Sequence, residues 1–103
     1  MVLEVTDKTF VNEIKGGVAI TQFWAPWCGP CKMQTPVLES LEEVYQGKIK
    51  FIKMNIDENP IISNQYGIMS IPNMQIFKDG EVVDNFIGFH QKHQVEEILN
   101  RHI

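Results

Sequence analysis

Apolar residues along this chain either run together and at every second position, or recur every three to four residues, the respective periods of strand and helix. Leu3 to Val5 reads as a short strand. Thr6 follows as the expected N-cap of a first helix, with Thr9 in its first turn, Phe10, Val11 and Ile14 as an apolar stripe, and Gly16-Gly17 as the stop. Val18-Ala19-Ile20-Thr21-Gln22-Phe23-Trp24 is a run of β-formers bounded by glycines and Pro26, the pattern of a mostly buried central strand. Met33, Val37, Leu38, Leu41, Val44 and Tyr45 then recur at helical spacing up to Gly47, which predicts one long amphipathic helix from about Cys28 to Tyr45. Pro36 falls inside it. A proline there removes the hydrogen bond to the Lys32 carbonyl and predicts a kink.

Ile49 to Asn55 alternates Ile49, Phe51 and Ile52 with lysines and predicts a second strand, parallel to the first by strand-helix-strand logic. Pro60 opens a short helix through Tyr66, ended by Gly67. Met74 to Lys78, the Asp79-Gly80 turn and Val82 to Phe89 predict a β-hairpin. Val95, Ile98, Leu99 and His102 mark a closing amphipathic helix. The layout is βαβαβ followed by ββα. It implies an α/β protein, with a mixed central β-sheet flanked by helices on both faces.

Composition narrows the class. A chain of 103 residues, 44% hydrophobic and 21% charged, is expected to form one domain over 1–103 with one core. Its net charge of −4, with no basic run, speaks against nucleic acid as a partner. No apolar run approaches the length of a bilayer span, so no membrane association is expected. Glu4, Asp7 and Lys8 interrupt the stretch where a signal peptide would be apolar, and the expected location is the cytoplasm.

The chemistry concentrates in Trp24-Ala25-Pro26-Trp27-Cys28-Gly29-Pro30-Cys31-Lys32, where the only two cysteines stand three apart at the start of the long helix. That spacing matches the distance from an N-cap to the N3 amide that its side chain can accept from. A Cys28 thiolate would lie over orphan N–H groups and the positive end of the helix dipole, which favour ionised sulfur and lower its pKa. Pro30 suits the first turn, where its missing N–H has no intrahelical acceptor. Gly29 adds no side chain, so another backbone can approach the sulfur. The competing readings are a structural disulfide, half of a zinc site and two ordinary core thiols. A four-residue ring stabilises a fold by only about 2 kcal/mol in the loop-entropy account. Zinc wants four ligands, and His90, His93 and His102 have no finger-like spacing after a second cysteine pair, so no metal site is expected. A redox-active dithiol that cycles in a reducing compartment accounts for the pair best.

With Trp27-Cys28-Gly29-Pro30-Cys31-Lys32 between a strand and a proline-containing helix, and Ile71-Pro72 before a hairpin, the sequence closely resembles the thioredoxin family. The resemblance extends to Phe23-Trp24-Ala25, Pro36, Lys53, Asn55-Ile56-Asp57, Asn59-Pro60, Phe77-Lys78-Asp79-Gly80 and Gly88, and so covers essentially the whole chain. It implies the thioredoxin fold and a protein-disulfide reductase, with Cys28 as the exposed attacking thiolate and Cys31 as the buried resolving thiol. It further implies thioredoxin reductase, an NADPH-dependent flavoprotein, as upstream partner, disulfide-containing proteins as substrates, no bound cofactor, and a monomer. An Ile71-Pro72 bond in the cis form, facing the cysteines, is part of the same implication. The backbone of Ile71 would pair with an extended substrate segment, and Trp27, Met69, Ile71, Pro72 and Gly88 would form a small, flat substrate-binding surface.

One departure bears on mechanism. Thioredoxins carry a buried aspartate one residue before Phe-Trp, and here the position is Gln22. An amide cannot accept the resolving cysteine's proton, although it can hydrogen-bond a bridging water. Without that negative charge, Cys28 is expected to titrate lower and the couple to be more oxidising than in an aspartate-bearing relative. Lys53, the family's partner to the aspartate, reads as a solvated strand-end lysine with a snorkelling stem. Asn73 after the proline and Pro26 before Trp27 are smaller departures. The three histidines are expected on the solvated surface. Two alternatives remain beside the general reductase: a specialised paralogue with a more oxidising couple, and a thioredoxin-fold docking subunit in which the dithiol is incidental.

Overall fold

In the computed structural model, which describes residues 1–103, the sheet is built outward from β2 (Val18–Trp24), the strand with a partner on each side. Its seven residues are rich in β-branched and aromatic side chains, and Ala19 to Phe23 are all buried. β3 (Ile49–Asn55) lies parallel to it, with Val18 opposite Ile49 and Trp24 opposite Asn55. β4 (Asn73–Lys78) lies antiparallel on the other side, with Phe23 opposite Asn73. β1 (Leu3–Glu4) pairs parallel with β3, and β5 (Glu81–Ile87) antiparallel with β4, giving the order β1-β3-β2-β4-β5. The mixed sheet is the one expected.

Because strand side chains alternate, β2 feeds two separate cores. One face carries Ile20, Phe51, Met74 and Ile76, covered by Leu38 and Leu41 of α2 (Gly29–Val44) and by Val95 and Leu99 of α4 (Lys92–Leu99). The other face carries Ala19, Phe23, Ile52 and Phe77, covered by Phe10 and Ile14 of α1 (Phe10–Ile14) and by Ile62 of α3 (Pro60–Gln65). Helices therefore cover both faces.

The hairpin turns on Asp79 and Gly80, with φ of 50° and 88°. Positive φ at both central residues matches the right-handed strand twist, which is why Asp-Gly marks such turns. Asp79 also ties the turn to the start of β2, its carboxylate accepting from the Gly17 N–H at 2.8 Å. The first helix starts later than expected. Thr6 accepts from the Lys8 N–H at 3.2 Å, and Thr9 accepts from the Thr6 N–H at 2.9 Å, so these residues form a closed turn and regular helix begins only at Phe10.

Candidate redox site

α2 begins at the carboxyl end of β2, and its N-cap is Cys28. The cap works as the three-residue spacing predicts, with the Cys31 N–H donating to Cys28 Sγ at 3.2 Å. Cys28 and Cys31 are joined as a disulfide, their Cα atoms 5.3 Å apart. The expected contrast in exposure is slight in this oxidised form. Cys28 is 5% exposed and Cys31 1%. Gly29 and Pro30 are exposed, and a Cβ at Gly29 would meet open space, so the fold itself does not demand glycine there.

Trp27 precedes the pair with its indole 69% exposed, held by donation from Nε1 to Asp57 in the loop after β3, at 2.9 Å. The residues expected for substrate binding gather at the same end of the sheet. Asn73 is opposite Phe23, which puts Ile71 and Pro72 just past the carboxyl end of β2, where the cysteine segment leaves it. The Ile71–Pro72 bond is cis. Pro72 is buried, Ile71 is half-buried, and the Ile71 backbone takes no part in the protein's own hydrogen bonds. Gly88 donates its N–H to the Pro72 carbonyl at 2.8 Å and has φ of 88°, a conformation that favours glycine. Met69 is 93% exposed and belongs to no core.

Gln22 is fully buried, directly opposite Lys53 across β2 and β3. Its Nε2 donates to Thr35 Oγ1 at 3.0 Å, and that hydroxyl donates to the Cys31 carbonyl at 3.2 Å. The amide thus reaches the Cys31 backbone through Thr35, while its Oε1 has no protein partner. Lys53 is not the solvated lysine expected. Its ammonium stands 5.2 Å over the Trp24 ring and 4.0 Å from Glu4, which also accepts from Trp24 Nε1 at 3.1 Å.

Two histidines also depart from expectation. His102 bonds Asp84 at 2.9 Å, fastening the chain's last turn to β5. His90 is half-buried, its ring 4.5 Å from Phe86 between centroids and its Nδ1 2.9 Å from the Gly88 carbonyl. His93 is exposed. Pattern reading passed over Gln34, Thr35 and Glu4. Gln34 carried a signal, being a polar residue in register with Leu38 and Leu41 on the core-facing stripe of α2.

The protein-family model for thioredoxin matches residues 1–101. The chain belongs to the thioredoxin family. It is 47% identical to the thioredoxin of Listeria monocytogenes over 103 residues, the full length of both. It is 45% identical to that of Bacillus subtilis over 102 residues, 99% of this chain and 98% of the relative, and 47% identical to that of Staphylococcus epidermidis with the same coverage. As a thioredoxin-family protein with the cysteine pair at its helix cap, it is a thiol-disulfide oxidoreductase of the protein-disulfide reductase type. The redox group is the Cys28–Cys31 disulfide of the chain itself. No helix is long and apolar enough to cross a membrane.

Proposed function

We propose that Cys28 is the attacking thiolate and Cys31 the resolving thiol of a general protein-disulfide reductase. The observation that carries this is the cap. Cys28 Sγ is the atom held over the N-terminal amides of α2, where negative charge is favoured. The Cys28 thiolate attacks one sulfur of a substrate disulfide, forming a Cys28–substrate bond and releasing the other substrate sulfur as thiolate. Cys31 then attacks Cys28 Sγ, the mixed disulfide breaks, and the second substrate sulfur leaves. Two electrons pass to the substrate. Because Gln22 cannot take the Cys31 proton, one departing substrate thiolate receives it, and the other takes back from water the proton that Cys28 released on ionising.

The free backbone of Ile71 suits pairing with an extended substrate segment, and Trp27, Met69, Pro72 and Gly88 supply the apolar surround. The open space at Gly29 leaves room for that segment beside the sulfur. Trp27 positions the surround through Asp57, while Lys53 holds its ammonium over Trp24 and beside Glu4. Recharging falls to a thioredoxin reductase drawing on NADPH, in the cytoplasm, with this protein acting as a monomer. The test is trapping. Cys31→Ser accumulates a mixed disulfide with a protein substrate through Cys28, whereas Cys28→Ser forms none; adducts of equal yield in the two variants would overturn the assignment.

A further inference from the structure

We propose that Gln34 is a positioning residue that fixes the substrate-binding loop to the helix carrying the cysteines. Gln34 stands three residues after Cys31 in α2, one turn along a shared helix face, and is 0% exposed. Burying an amide costs free energy for each polar atom left unpaired. Here both are spent on one residue: the His90 N–H donates to Oε1 at 2.8 Å, and Nε2 donates to the His90 carbonyl at 3.1 Å. The pairing fixes the amide's orientation, since a flipped amide would set donor against donor and acceptor against acceptor.

From His90 the connection runs on to the groove. A carbonyl only accepts, so Nδ1 of His90 carries the hydrogen that bonds the Gly88 carbonyl, in the neutral and the protonated ring alike. Gly88 in turn donates to the Pro72 carbonyl. The unbroken path Gln34, His90, Gly88, Pro72 therefore spans two loops and ends at the segment proposed to hold substrate. It sets the distance between the substrate's backbone and the sulfur that must meet its disulfide. A bimolecular exchange gains from such placement only when the substrate is large enough to be held by its backbone.

The proposal rests on the exchange reaction above, and two substrates separate the failures. Gln34→Leu removes the amide at similar volume, and His90→Phe keeps the Gln34 bonds but cuts the link to Gly88. With the full-length protein, each variant should raise KM for a disulfide-bonded protein substrate about fivefold, the equivalent of about one net hydrogen bond, with kcat held. The rate with a small aromatic disulfide, which senses the thiolate alone, should stay within about twofold, given that surface placement does not enter. Equal slowing of both substrates, or no change with either, would overturn the positioning role. If Gln34→Leu does not fold, His90→Phe decides by the same criteria. If the unaltered protein reduces neither substrate, the exchange reading fails and this proposal falls with it.

Discussion

At the scale of residues, Gln22 makes the sharpest prediction. It brings a fully buried amide to the position where the family resemblance implies a carboxylate. In Gln22→Asp, a negative charge disfavours nearby sulfur anions, so Cys28 should titrate at higher pH by on the order of one unit, and the couple should become more reducing. The same carboxylate offers the resolving step a base, so stopped-flow reduction should quicken at the second exchange. Equal thiol titration and equal rates in the two proteins would contradict this. The cysteine pair was legible because its spacing and neighbours have few other uses, whereas Pro72 and Trp27 entered only through the family resemblance, an X-Pro bond carrying no mark of its isomer in the sequence. Thr35 and Glu4 left no mark in the pattern, and although Gln34 stood out as a polar residue on an apolar stripe, its partner His90 lies 56 positions away and could not be read from it. His90 and His102 misled as polar helix-flanking positions: His90 folds back onto Gly88 two residues before it, and His102 onto Asp84 18 positions away.

Among the elements, β2 carries both the site and a local cost. Thr21 is fully buried opposite Gln75 in β4, and its hydroxyl has no hydrogen-bond partner within the protein. Thr21→Val keeps the branched shape and removes the unpaired hydroxyl, so it should stabilise the fold by about 1 kcal/mol, read as a higher urea midpoint at unchanged slope. A lower midpoint would show that the hydroxyl is satisfied. Element types were legible wherever period and punctuation agreed, as in β2 between glycines and Pro26 and in the hairpin at Asp79-Gly80. The start of α1 was not legible, because the hydroxyls of Thr6 and Thr9 hold a turn that competes with helix. Strand order across the sheet was not legible either, since it follows from the pairing of β4 with β2, which no local pattern specifies.

For the whole molecule, the two cores share a weakness at high pH. Tyr45 stacks on Phe51 in one core, and Tyr66 packs edge-on to Phe10 and Phe77 against the other. Burial pushes both phenols above their ordinary value, helped at Tyr45 by the charge of Glu96. The folded state therefore keeps protons that the unfolded chain releases above about pH 10, so stability is full below that pH and falls as pH rises through the folded values. Tyr66→Phe should flatten the alkaline loss in a pH series of urea melts, and an unchanged profile would contradict it.

The account stands on the Cys28–Cys31 pair acting as an electron donor to protein disulfides. Its most direct test is the midpoint potential of that couple, measured in glutathione buffers with free thiols trapped by alkylation. The account predicts a potential more reducing than a cytosolic glutathione poise of about −220 mV, yet less reducing than that of Gln22→Asp. A midpoint more oxidising than about −200 mV would make the pair an acceptor of electrons in that setting and contradict the reductase.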